Sequence, residues 1–108
     1  MKPDIPEEIQ KLAEHRAVRC RVFSNTQRVL IFWLLAERKR TVDEVSLAIG
    51  TSLSNAAHHL RILGFNNLVE ARHESDGIYY HLIDSELTRN CQVLADKPSD
   101  ILTKVNPT

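Results

Sequence analysis

The chain has 108 residues, 43% of them apolar, with 14 basic side chains balanced by 14 acidic ones. That length predicts one domain with a modest core, to which a partner subunit would be a natural addition, and a net charge of zero does not advertise nucleic-acid binding. No run of eighteen apolar residues suggests a membrane span, and the first fifteen residues lack an apolar signal core, so a cytoplasmic protein is expected.

Pro3 and Pro6 break up the first residues. From Glu7 to about Arg21, Ile9, Leu12, Ala13, Ala17 and Cys20 recur at helical spacing. Glu7 and Glu8 near the start and Arg19 and Arg21 near the end suit a helix dipole. Ser24 and Gln27 are spaced as a capping box. The next segment, "TQRVLIFWLLAERKR", is the most apolar in the chain and predicts a central helix, since its apolar residues cover most of a helix circumference. It ends in Arg38, Lys39 and Arg40, a run that suits a helix C-terminus and is usually a solvated face.

Thr41 and Glu44 form a second candidate capping box. Val42, Val45, Ala48 and Ile49 line a two-turn helix that stops at Gly50. Ser52 is a good N-cap for a helix from Leu53 to about Leu63, with Leu53, Ala56, Ala57, Leu60 and Leu63 as its core positions. Two short helices joined by "GTS" predict a helix-turn-helix over about 42–64. Asn66 and Asn67 suit turn geometry, and "LVEAR" and "GIYYHL" read as strands around Asp76-Gly77, a strong hairpin signal. This is a candidate wing, about 68–82. A last amphipathic helix is expected over about 84–96, with Leu87, Cys91, Val93 and Leu94 on its apolar side. The fold class is therefore mainly α with a small antiparallel β-hairpin. It is a winged helix-turn-helix in the order α-α-α-α-β-β-α, one domain over residues 1–108.

With those elements in place, four stretches resemble the ArsR/SmtB family of repressors, nearest in pattern to its CadC-type members. They are "FSNTQRVLIFWLL", "EVSLAIGTSLSNAAHHLRIL", Leu68–Val69 and "YYHLID", within roughly residues 23–87. The resemblance implies a homodimer and a DNA-binding repressor. Its first and last helices, about 7–21 and 84–96, would make the dimer, and the helix after the turn would enter the DNA major groove. The reading positions would then be Ser54, Asn55 and His58, with Thr51 and Ser52 near a phosphate. Arg61 would add a phosphate contact, and Arg72 is the one arginine on the wing. Small polar residues at a helix start also let a backbone approach a duplex, and asparagine can read adenine. His59 matches a family histidine expected to be half-buried and hydrogen-bonded.

The same resemblance implies two metal sites, and this sequence departs from both. Thr41 and Asp43 stand where one needs a Cys-x-Cys pair. In the other, Asp84 matches, but Glu86, Lys97 and Asp100 replace the remaining ligands. Neither set suits a soft ion or zinc, so no metal and no cofactor is expected, and Asp84 is expected to cap the last helix instead. Adjacent His58 and His59 point too far apart to share an ion.

The two cysteines, Cys20 and Cys91, form no Cys-x-x-Cys pair; their plain reading is small buried hydrophobes. The family's first and last helices pack together across the dimer, so the pair is also a candidate thiol sensor for a redox or small-molecule effector. Charge is uneven along the chain. Residues 1–40 carry nine basic and five acidic groups (+4), residues 41–80 two and five (−3), and residues 81–108 three and four (−1). The family's wing tip usually offers an arginine, whereas Glu74 and Asp76 make this one acidic. Arg28, Arg38, Lys39, Arg40 and Arg61 are the other cations a phosphate could meet. The leading reading is thus a sequence-specific, double-stranded-DNA-binding regulator, and the second a winged-helix protein–protein module. An enzyme is not expected: no nucleophile, base and oxyanion donors cluster, and there is no glycine-rich phosphate loop.

Overall fold

Seven consecutive residues, Val29 to Leu35, are buried in the helix α2 (Thr26–Glu37), and the other elements are laid around it. A helix that is apolar on all sides must be covered on all sides. The structure is a computed structural model that describes residues 2–17, 22–99 and 101–102. The helix α1 (Glu7–Ala17) covers one flank with Ile9 and Ala13, and Phe23 packs on Phe32 with ring centroids 4.9 Å apart. The expected extension of the first helix towards Arg21, including Cys20, falls on residues 18–21, outside the described residues.

The start of α2 corrects one expectation. Asn25, not Ser24, is the N-cap, and its side chain accepts from the Arg28 amide at 3.2 Å. Gln27 is thereby released for the contacts described below. The next helix, α3 (Val42–Ile49), has the expected capping box. Thr41 Oγ1 accepts from the Glu44 amide at 3.1 Å, and Glu44 Oε1 from the Thr41 amide at 3.0 Å. It stops at Gly50, which has φ of 72°. A Cβ there would stand 2.8 Å from the Pro3 nitrogen, because the N-terminal arm lies across the turn and Asp4 donates to the Ala48 carbonyl at 2.9 Å. Glycine is thus required by backbone conformation and by close approach together.

The helix α4 (Leu53–Phe65) follows, capped by Ser52 as expected. Ala56, Leu60 and Leu63 are buried as expected, but Leu53 is 52% exposed and Ala57 half-buried. In the first turn of α4 the apolar stripe has not yet come round to face α2. Asn67 takes the left-handed φ of 60° and turns the chain into β1 (Val69–Glu74). β1 pairs antiparallel with β2 (Gly77–Leu82), in register from Val69 opposite Leu82 to Glu74 opposite Gly77. The wing does not stand free. Arg40 exchanges backbone hydrogen bonds with Tyr80, at 2.8 and 3.0 Å, extending the hairpin by one bridge to the end of α2.

The last segment departs most from expectation. In place of one helix over about 84–96 there are two single-turn helices, α5 (Glu86–Arg89) and α6 (Gln92–Ala95), parted at Cys91. The segment bends to lie on α2. Trp33 Nε1 donates to the Val93 carbonyl at 2.8 Å, and Glu37 pairs with Lys97 at 3.2 Å and accepts from the Ile101 amide at 3.0 Å. Asp84 is not the cap; Ser85 accepts from the Thr88 amide, and Asp84 pairs with Arg89. Ile9 and Ala13, on the first of the two helices expected to make the dimer, are spent in the core of this chain, whereas Leu87, on the last, remains 59% exposed. No helix among the described residues is long and apolar enough to cross a membrane.

Candidate nucleic-acid interface

The polarity of α4 is divided lengthwise. Ala56, His59, Leu60 and Leu63 are buried, while Ser54, His58 and Arg61 are exposed. The three exposed positions are spaced by four and three, so they share one face. Ser52, also exposed, caps the helix through the Asn55 amide at 3.1 Å. The helix start therefore carries small hydroxyl groups and outward backbone N–H groups, which suits an anionic oxygen.

Behind this face runs a chain of side-chain hydrogen bonds. Arg28 Nε donates to the Val22 carbonyl at 2.8 Å, and Arg28 Nη1 lies 3.2 Å from His59 Nδ1. His59 Nε2 lies 3.0 Å from Gln27 Oε1, and Asn55 Nδ2 lies 2.8 Å from both Gln27 Oε1 and Thr51 Oγ1. The direction of every bond follows from Arg28, whose guanidinium can only donate. Nδ1 of His59 must accept, so Nε2 carries the hydrogen. Gln27 must then present its oxygen, and Asn55 its amide nitrogen. His59 is 5% exposed, more buried than expected, and both ring nitrogens are engaged. Burial above all, then the charge of Arg28 and then His58, pushes its pKa down to about 4. It is a neutral strut between α2 and α4.

Gln27 is the residue that sequence reasoning missed. It was legible only as a capping partner; its true contacts lie 28 and 32 positions away, where no local pattern points. Asn55, expected to read bases, is half-buried with its amide hydrogens already committed. Thr51, by accepting from Asn55, keeps its own hydroxyl hydrogen to give elsewhere.

The candidate phosphate-binding cations fare unequally. Arg40 is 5% exposed, and its guanidinium donates to the Leu34 carbonyl at 3.0 Å and to Glu37 at 3.1 Å, so it is an internal brace. Burial lowers its pKa. Arg28 is likewise turned inward. Lys39 bonds Glu74 on the wing, which raises its pKa, and sits 4.7 Å above the Tyr79 ring. Arg38 lies 3.7 Å from Glu44. Arg61 is exposed with no ion pair among the described residues, and Arg72 is exposed with Glu70 3.9 Å away. Of the positions tied by resemblance to metal sites, Thr41 is a helix cap, Asp84 and Lys97 are ion-paired, and Asp100 lies outside the described residues.

Comparison with known proteins agrees with the winged helix-turn-helix fold. Residues 25–71 match a family described as "Bacterial regulatory protein, arsR family". The HTH-type transcriptional regulator Rv0324 of Mycobacterium tuberculosis is 34% identical over 80 residues, 71% of this chain and 35% of that protein. The chain spans about a third to a half of the length of the curated relatives it matches. The transcriptional repressor BigR from Xylella fastidiosa superposes with a TM-score of 0.64 at 25% identity, covering 82% of this chain and 86% of that one. The homodimeric winged helix-turn-helix DNA-binding domain Mb0332 from Mycobacterium bovis gives 0.57 at 32% identity, covering 84% and 82%. These are regulators and not enzymes. With a family match centred on the helix-turn-helix, and 32% identity across most of a solved winged helix, the chain belongs to the ArsR family of bacterial regulatory proteins.

Proposed function

We propose that this chain is a sequence-specific DNA-binding transcriptional regulator, acting in the cytoplasm as a homodimeric repressor, with α4 in the major groove. The observation that carries the reading is the divided α4: a polar face of Ser54, His58 and Arg61 outside, and a helix start locked to α2 inside. Ser54, Asn55 and His58 meet base edges. Thr51, Ser52 and Arg61 meet phosphates, and Arg72 adds a contact from the wing. A dimer places two such helices in successive major grooves, about 34–36 Å apart.

Control by a thiol-reactive or small effector belongs to the same reading. Cys91 is half-buried on a groove of about 570 Å³ lined by Val22, Phe23, Leu68 and Leu87. Its proposed partner Cys20 lies outside the described residues. A winged-helix protein–protein module remains the second reading, favoured by the wing, where Asp76 and Glu74 occupy the tip and Lys39 is spent on Glu74.

Selection from random duplex DNA with reduced protein tests the function, and repetition after mild oxidation tests the thiols. The expected result is one enriched sequence with two-fold symmetry, bound with an affinity that falls steeply as salt rises. No enrichment, or binding indifferent to salt, would overturn DNA reading in favour of the protein module. Oxidation that changes affinity in the parent but not in Cys20→Ser or Cys91→Ser would support the sensor.

A further inference from the structure

We propose that Gln27, outside the recognition helix, reads DNA jointly with Asn55, the two side-chain amides forming one adenine-specific unit. The inference rests on the reading of α4 as the major-groove helix. It starts from the direction of the bonds behind that helix. Arg28 has donors only, so His59 accepts at Nδ1 and donates at Nε2, Gln27 accepts at Oε1, and Asn55 donates at Nδ2. The amide–amide bond of 2.8 Å consumes the oxygen of Gln27, and Thr51 takes the second hydrogen of Asn55.

Two polar groups are left over. Asn55 Oδ1 is an acceptor, and Gln27 Nε2 is a donor with two hydrogens; neither has a hydrogen-bond partner among the described residues. Both side chains are half-buried, beside the exposed Ser52 and Ser54 at the start of α4. Adenine presents a donor at N6 and an acceptor at N7 in the major groove. A lone asparagine would meet both with its own amide. Asn55 cannot do so while Nδ2 is bonded twice, but its Oδ1 can take the N6 hydrogen while Gln27 Nε2 gives one to N7. The specificity of α4 is then written partly in α2. The bracing chain through His59 to Arg28 holds the donor and acceptor in that polarity, because reversing Gln27 would set donor against donor and reversing Asn55 would set acceptor against acceptor at their shared link.

The pair of variants Gln27→Leu and Gln27→Glu tests this, with Asn55→Ala and the Gln27→Leu/Asn55→Ala double variant. Gln27→Glu keeps an oxygen to accept from Asn55 and His59, and so keeps the brace. It replaces the unbonded donor by an acceptor. Each protein is put through the random-duplex selection, and its preference for adenine over the other bases is measured at every position of the enriched site. Melting temperature and salt slope are followed in parallel. The expected result is an adenine in each half-site whose preference drops about tenfold in Asn55→Ala, in Gln27→Leu and in Gln27→Glu. The double variant should lose no more than either single one, because a joint reader is broken once. Preferences elsewhere in the site should not move, nor should the salt slope in the uncharged variants Gln27→Leu and Asn55→Ala. If Gln27→Glu keeps the parental adenine preference, Gln27 is a brace only and the joint reading is overturned. Additive losses, or a parental site with no adenine that Asn55→Ala affects, overturn it as well. A parent that enriches no sequence overturns the underlying DNA reading, a failure seen in the parent alone and so distinct from the others.

Discussion

The helix-turn-helix and the C-terminal segment are both amphipathic, yet they hold their shape in opposite ways. Residues 41–65 are fixed from within: Thr41 and Glu44 cap one helix, Gly50 ends it, and Ser52 starts the next. Beyond the Ser85 cap and the Asp84–Arg89 pair at its start, the C-terminal segment is fixed from outside. Trp33 and Glu37, both on α2, supply the polar contacts to Val93, Lys97 and Ile101. Two four-residue helices carry little stability of their own, since helix nucleation costs more than one turn returns. The difference teaches where each region will fail. Local substitutions weaken the first without disturbing the second, while the second depends on a residue sixty positions away.

The largest expected effect comes from removing that residue's side chain. Trp33→Ala opens a cavity at the middle of α2 and should cost about 3–5 kcal/mol by denaturant unfolding. Amide exchange should show α6 losing protection well before α4. Equal loss in both would mean that the C-terminal segment is no more dependent on α2 than the helix-turn-helix is.

The next effect is on the seam between α2 and α4, and it depends on pH. His59 has its pKa lowered from 6.5 to about 4 in the folded chain. Between those values the unfolded chain binds the proton and the folded chain does not. The stability is complete above pH 6.5, is lost as pH falls towards 4, and changes no further below that. The loss should reach up to about 3 kcal/mol. In His59→Gln the melting temperature should fall less across the same window; an identical fall in parent and variant would assign the pH dependence to other groups.

Gly50→Ala should cost about 2 kcal/mol, since an L-residue is strained at this φ before its Cβ meets Pro3. Unfolding that is unchanged from the parent would show that neither the left-handed backbone nor the arm requires glycine at this turn. Smallest is Thr41→Ala, which removes a single cap and should cost about 1 kcal/mol. Neither substitution should alter exchange in α6, and that silence is the sharper half of each prediction.

The same contrast explains what could be read in the sequence. The capping box at Thr41, the stop at Gly50 and the cap at Ser52 are adjacent residues whose chemistry acts on their own backbone, and each was legible; the hairpin was legible too, but its turn falls on Ser75 and Asp76, one residue earlier than expected, with Gly77 already in β2. The break at Cys91 was not, because nothing in "ELTRNCQVLAD" shows that α2 will hold the chain by Val93. Nor was the fate of the cations. Arg38, Lys39 and Arg40 are alike in sequence, and only the wing's return beside α2 makes Arg40 a buried brace and pairs Lys39 with Glu74. On α4 the outward placement of Ser54 and His58 was implied by the family resemblance, whereas the bond from Asn55 to Gln27 needed the packed pair of helices.

Pro3 rests on Gly50, and this has a practical bearing on the handling of the protein. A tag fused ahead of Lys2 would leave the chain beside the turn that launches α4, within reach of any duplex docked there. A basic tag in that place would add phosphate attraction of its own, steepening the response to salt and masking the effect of Arg61→Ala. A bulky one would pry at the arm and report a weaker site than the chain possesses. Affinities measured before and after the tag is cleaved off would separate what α4 contributes from what its neighbour adds.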